Sequence, residues 1–394
     1  MKSKFAPLAT AVALAAALSV AAPASAAPVG PQGPPAHAAA PASIENYPVT
    51  IDSGSWDSGH IQGIAIDEKN GYVYHSFTDM LVKTDLKGNV VGTVEGFTGH
   101  LGDLDFNTKD GRVYGSLEYK AEEAFYIAIF DVNKITEVGM DSEDSGIVTA
   151  VYLEEVVEDF TADMDANGVF DGNTANTADH RYGSSGIDGV SFGPEFGKKN
   201  GKQQLMVAYG VYRNDARVDN DHQVLLQYDV SGWGKYERQL TQADPHTSGP
   251  ADVDAKYFVH TGNTSYGVQN LAYDEQSHLW YVGVYRGGKP GYPNRNLYVL
   301  DGTTAPQEQT IEGQPNDEAG LVLPLLQQGL WHEPTGIYGW EFKSDVGIEP
   351  IGDGYFYVAR DFDDRSSGHK QEAATLELYR WTGEGASGFE QIVR

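Results

Sequence analysis

A short motif returns along this chain, and its return restricts the possible folds more than any other feature. Residues 59–67 read GHIQGIAID, and variants follow at 99–105 (GHLGDLD), 186–192 (GIDGVSF), 267–273 (GVQNLAY) and 334–337 (PTGI). Each is a short apolar stretch with a polar residue near its start and a glycine close by. An apolar, aromatic run follows each copy. Repetition of this kind belongs to radial or stacked architectures, in which one supersecondary unit is copied and the copies bury each other.

Between the copies, helix signals are scarce. No long run places apolar residues at i, i+3, i+4 and i+7, whereas short alternating runs bounded by Gly, Asp and Asn dominate, so the chain is expected to be all-β. The first block gives strands at 60–67, 72–77, 81–85 and 90–95, with hairpin turns at Lys69-Asn70-Gly71 and Lys87-Gly88-Asn89. The second gives 101–106, 112–118, 125–131 and 147–153. The third gives 187–192, 205–212, 224–230 and 256–260; the fourth gives 268–273, 279–285, 296–300 and 320–324. The fifth gives 335–342, 354–360, 375–381 and 389–393. Meanders in series predict a five-bladed β-propeller with the first strand of each block lining a channel. The stretch 47–51 is placed to join the fifth blade and close the ring. Six blades are the alternative, because the third block carries a poorly patterned tail at 232–263.

In lines such as GIAIDEKNGYVYHSF (63–77) and NLAYDEQSHLWYVGVY (270–285), the chain resembles propellers of the broad kind that includes six-bladed lactonase-like and NHL-like proteins. That superfamily contains hydrolases, lyases and pure binding modules, so the resemblance implies a fold and leaves function to the site.

The first 26 residues read as a secretory signal: Lys2 and Lys4, an apolar core at 11–22 too short to span a bilayer, and Ala24-Ser25-Ala26 as cleavage site. Residues 27–45, rich in Pro and Ala, read as a disordered lead-in, and 46–394 as the propeller domain. The protein is therefore expected to be secreted and extracellular. It has no cysteine, which excludes disulfides, thiolate metal sites and a Cys nucleophile. Without Lys2 and Lys4 the formal net charge of −29 becomes −31. Such a surface disfavours nucleic acid as a partner.

Residues 163–171, DMDANGVFD, match the start of an EF-hand-type calcium loop, with Asp163, Asp165, Asn167 and Asp171 as oxygen donors and Gly168 at the sharp turn. Thr174 stands where the closing Glu is expected, so Asp179 or another residue must close the site. A structural Ca²⁺ is expected here; the bland reading is an acidic solvated loop.

Propeller geometry brings the starts of first strands and the ends of second strands to one channel mouth. The first group is His60, Gln62, His100, Asp103, Asp188, Gln269, His332, Glu333 and Thr335; the second is Thr78, Asp79, Glu118, Lys120, Arg213, Arg286, Arg360 and Asp361. Of these, His60, His100, Asp103, Asp188, His332 and Glu333 are the catalytic candidates. Gln62, Glu118, Lys120, Arg213, Gln269, Arg286 and Arg360 are the substrate-binding candidates. Imidazoles supply acid–base chemistry and guanidinium groups hold carboxylates or phosphates. Each residue also has a plainer role. Asp103 and Asp188 could tie down backbone N–H groups of adjacent blades, and the arginines could pair with surplus carboxylates. The chain lacks a Gly-x-Ser-x-Gly elbow, a His-Glu-x-x-His run and a phosphate-cradling Gly-Lys-Ser loop.

The expectation is an enzyme acting on an extracellular glycan, preferably an anionic polysaccharide or oligosaccharide, by lyase or hydrolase chemistry. The competing readings are a metal-dependent phosphoesterase or lactonase, and a binding propeller without catalysis.

Overall fold

The computed structural model describes residues 44–143 and 146–394. The signal sequence expected at residues 1–26 and residues 27–43 of the expected lead-in lie outside the described residues. Ile44 and Glu45, assigned from sequence to the lead-in, begin the ordered ring: Arg394 Nη2 donates to Ile44 O at 2.7 Å. No helix of the described residues is long and apolar enough to cross a membrane.

Five antiparallel sheets form a five-bladed β-propeller. The inner strands are Ile61–Asp67, His100–Asn107, Ser184–Pro194, Ser265–Asp274 and Ile348–Pro350. Each lies beside the next, and the fifth returns to the first. Five apolar clusters fill the five interfaces between blades. A strand in such a ring feeds one cluster from each face, so Ile61–Asp67 and Ala124–Phe130 are buried along their whole length. This double burial explains near-continuous apolar runs such as Trp280-Tyr281-Val282 where one-sided sheets would show alternation.

Close approach of the blades is set by small residues on the second strands. Ser76 Oγ donates to Gly102 O and Ser116 Oγ to Asp188 O, both at 2.6 Å, pinning each sheet to the inner strand of the next. At the corresponding place in blade four, a Cβ on Gly283 would come within 2.3 Å of Ser344 O.

The ring closes as expected, through the N-terminal strand. Thr50–Trp56 runs antiparallel to Gln371–Trp381, with Ile51 opposite Leu376, and Ser53 Oγ accepts from Ala374 N at 2.9 Å.

Two sequence-based assignments change, and the six-bladed alternative is not realised. Residues 335–342 are not the inner strand of blade five. Leu330–His332 and Ile337–Gly339 form a small hairpin whose exit, Trp340, bridges Leu297 on the outer side of blade four. The inner strand comes later, at Ile348–Pro350. The strand near 320–324 (Ala319–Val322) pairs in parallel with Ala255–His260, so it extends blade three, although Leu325 bridges Leu300 of blade four. The tail at 232–263 builds no sixth blade. Its Arg238–Gln239 segment returns to the edge of blade two, and Ala255–His260 completes blade three.

Candidate active site at the channel mouth

Four of the five inner strands carry a register shift near their mouth end: between Ile61 and Gly63, Leu101 and Leu104, Ile187 and Val190, and Val268 and Asn270. The residues inside these bulges include Gln62, Asp188 and Gln269, at the polar position of the repeated motif, and Asp103, one place after it. A bulge turns an extra side chain out of the ladder. Here it turns four polar groups toward the axis.

Asp103 points into the body of the channel. It is 2% exposed, and its Oδ2 accepts from Val190 N at 3.1 Å and Leu271 N at 2.9 Å. One carboxylate thereby ties blade two to blades three and four. Burial pushes its pKa well above the ordinary carboxylate value, against the pull of these N–H donors. Asn270 Nδ2 donates to Gln62 O at 2.7 Å and links blade four to blade one. Asp103 acts as a structural staple between blades.

Above these staples opens a cavity of about 640 Å³. His60, Gln62, His100, Glu118, Lys120, Asp188 and Gln269, all expected at the mouth, line it together. His100 Nδ1 lies 3.5 Å from Glu118 Oε1 and 3.6 Å from Asp188 Oδ1. Lys120 Nζ is 2.9 Å from Glu118 Oε1, and Gln269 Nε2 donates to Asp188 Oδ2 at 3.0 Å. Burial raises the Asp188 pKa well above the ordinary value, and the Glu118 charge adds to the shift. Burial opposes the Lys120 ammonium, but Glu118 and Asp188 more than offset it, leaving its pKa above that of an ordinary lysine. Across the mouth, His60 Nε2 is 3.0 Å from Tyr285 Oη. Burial lowers the pKa of both His60 and His100, so both imidazoles are neutral at pH 7.

Several wall residues escape the sequence reading. Tyr119 lies between Glu118 and Lys120, which also line the cavity, and Tyr285 precedes Arg286, which does not. Tyr266 is 56% exposed and holds φ +61°, a conformation bulky side chains rarely adopt, at the rim of the cavity. Gln242, from the poorly patterned tail, accepts from Thr98 N at 2.7 Å and Tyr119 Oη at 2.9 Å. Nothing local in the sequence signals that return.

The remaining candidates lie elsewhere. His332 and Glu333 sit on the outer hairpin, where His332 Nδ1 meets Thr335 Oγ1 at 2.9 Å, so their placement with the mouth is corrected. Arg213, Arg286 and Arg360 do not line the cavity; they pair with Asp215, Glu341 and Glu377. In a chain this acidic, each guanidinium finds a carboxylate nearby before it reaches the mouth.

The calcium-loop candidate is folded around its acids. Asp163 Oδ2 accepts from Gly168 N at 2.8 Å, and Asp165 Oδ1 from Asn167 N at 3.0 Å. Oxygens of Asp163, Asp165 and Asp179 fall within 4.8 Å of one another. Asp179, not Thr174, closes the group. Asp171 joins through its N–H, which donates to Asp179 Oδ2 at 3.2 Å. Arg217 fastens the loop end through Thr177 O, Asp179 O and His180 O, each at 2.9 Å.

A second cavity, of about 520 Å³, opens at the other end of the channel and is lined by Glu68, Asp105, Asp274, Glu275 and Glu349. Burial lifts Asp105 to about 6 and Glu349 well above its ordinary value. Its charged lining is carboxylates with Lys109 and no imidazole, whereas the first cavity brings two imidazoles together with an ammonium and carboxylates and is the candidate site.

No family model matches the sequence, and no curated protein matches it. Among solved structures, the β-propeller domain of Myceliophteria thermophila Cps50 (Swd1) is similar over 88% of both chains, at 11% identity and a TM-score of 0.32.

Proposed function

We propose that this protein is an exported enzyme that cleaves an anionic glycan by β-elimination at the channel mouth. The observation that carries the reading is the His60–Tyr285 pair, facing Lys120 across one cavity. Neutral His60 Nε2 takes the proton α to a uronate carboxylate. The C–O bond to the leaving sugar breaks as the ring double bond forms, and Tyr285 Oη gives its proton to the departing oxygen. The hydrogen bond between the two side chains then returns the proton from imidazolium to phenolate. Burial raises the Tyr285 pKa, which keeps the phenol protonated and able to act as acid. Lys120 offers the positive charge that the uronate requires.

The lining supports a sugar ligand. Tyr119, Tyr266 and Tyr285 line the cavity beside Gln62, Gln242, Gln269, Thr78 and Thr98. Such walls suit a molecule with C–H faces and hydroxyl edges. Glycoside hydrolysis needs two carboxyl groups flanking the bond. Glu118 and Asp188 lie side by side in one wall, Asp103 is committed to backbone, and Glu333 is off the mouth, so elimination is preferred. The oxygen set of Asp163, Asp165, Asn167 and Asp179 would hold a Ca²⁺ that orders the insertion between blades two and three.

The test is incubation with a panel of uronic-acid polymers and neutral glycans. Ultraviolet absorbance of an unsaturated uronate product is expected. New reducing ends without that absorbance, or no turnover of any polymer, would overturn the proposal.

A further inference from the structure

We propose that His100 Nδ1, Glu118 Oε1 and Asp188 Oδ1 form a site for one divalent transition-metal ion, Zn²⁺ or Mn²⁺, in the wall of the mouth cavity. The site stands on its own geometry; only the ion's role in the reaction rests on the elimination reading.

The three atoms lie within 4.8 Å of one another, with His100 Nδ1 3.5 Å from Glu118 Oε1 and 3.6 Å from Asp188 Oδ1. These gaps are too long for good hydrogen bonds. They suit ligands that share an ion, since donors about 2.0–2.2 Å from a metal sit roughly 3–3.5 Å apart around it.

A second observation points the same way. Asp188 is 7% exposed; its Oδ2 takes Gln269 Nε2, while its Oδ1 is buried with no hydrogen-bond partner. His100 Nδ1 is buried in the same condition. Two unsatisfied polar atoms facing each other in a cavity wall are costly, and a cation between them satisfies both. The outer contacts have the form that metal sites use. Gln269 fixes the Asp188 carboxylate, and Ile187 N donates to Glu118 Oε2 at 3.2 Å.

One imidazole with two carboxylates favours zinc or manganese, whereas calcium prefers all-oxygen sets such as the Asp163 loop. Lys120 Nζ donates to the same Glu118 Oε1. A carboxylate oxygen has a further lone pair for the metal, so the two coexist, with Lys120 weakening the affinity by repulsion. An ion held here would face the cavity and take the substrate carboxylate, adding to the charge supplied by Lys120.

Chelator-stripped full-length protein is titrated calorimetrically with Zn²⁺, Mn²⁺ and Ca²⁺, and bound metal is counted after dialysis. The variants are His100→Ala, Asp188→Asn, Lys120→Met and the double variant Asp163→Ala/Asp165→Ala. One zinc or manganese per chain is expected in the wild type and in the loop variant. Affinity should fall about 100-fold in His100→Ala and about tenfold in Asp188→Asn, and rise in Lys120→Met. A wild type that takes up neither ion overturns the proposal, as does unchanged uptake by natively folded His100→Ala. Uptake without elimination on any uronate polymer upholds the site and removes the proposed reaction. Elimination by stripped protein that binds no metal does the reverse.

Discussion

His60 Nε2 lies 3.0 Å from Tyr285 Oη, joining the start of blade one to the second strand of blade four across 225 residues of chain. Tyr285 ends the strand Leu279–Tyr285 and His60 immediately precedes the strand Ile61–Asp67, so each ring is positioned by the strand it adjoins. Tyr285→Phe should lower kcat by about 10²-fold or more with little change in KM, because the phenol acts only as the leaving group departs. His60→Gln should do the same. Steady-state kinetics on the uronate polymer that turns over would check both; a KM-only effect would assign the pair to binding.

The pH profile has a predicted sign. Burial lowers the His60 pKa from 6.5, with Asp361 and Glu372 pulling it back up. Base catalysis needs neutral imidazole, so the acid limb of kcat/KM should lie below pH 6.5 and vanish in His60→Gln. An acid limb above pH 7 in the wild type would contradict the assignment.

Asp103 should matter for stability. Asp103→Ala leaves Val190 N and Leu271 N buried without an acceptor, a loss of roughly 2–5 kcal/mol. Asp103→Asn keeps an acceptor oxygen and should cost less. Urea denaturation of the two variants would give the order, and equal stability would remove the staple.

Calcium should raise the melting temperature through the insertion. At a hundredfold excess over Kd the gain is about 2.7 kcal/mol for one site. Asp179→Ala should abolish the gain, since Asp179 gathers the loop through Met164 N and Asp171 N. A calcium response that persists in Asp179→Ala would place the ion elsewhere.

The acidic end of the channel predicts an inverse pH effect. Asp105 is raised to about 6, first by burial, while its unfolded value is near 3.8. The folded state therefore holds the extra proton between these values, and stability contributed by that proton is lost as pH rises from about 4 to about 6. The shift corresponds to at most about 3 kcal/mol. Asp105→Asn should flatten the slope in thermal melts across that window; an unchanged slope would assign it to other groups.

The repeat carried the fold because a propeller blade is a local object. Each hairpin is written in neighbouring residues, as in Tyr72–Phe77 with Met80–Asp85, and double burial shows as apolar runs. Blade five misled because PTGI imitates the motif, whereas Val346-Gly347-Ile348 carries it beside a short inner strand. The tail at 232–263 left a six-bladed alternative open because Arg238–Gln239 pairs with a strand some ninety residues earlier.

The sequence by itself determined that this chain is a ring of antiparallel meanders, with His60, Gln62, His100, Asp188 and Gln269 at matching positions of the repeat. Periodicity and turn chemistry act over a few residues, so they are legible in one dimension. Only the tertiary structure decided that Asp103 turns inward as a staple while Asp188 faces His100, that Tyr285 and not Arg286 enters the cavity, and that Gln242 returns to it. Those outcomes depend on which groups share a buried volume. In a low-dielectric interior every donor and acceptor must be paired, and the partners are chosen by proximity in space.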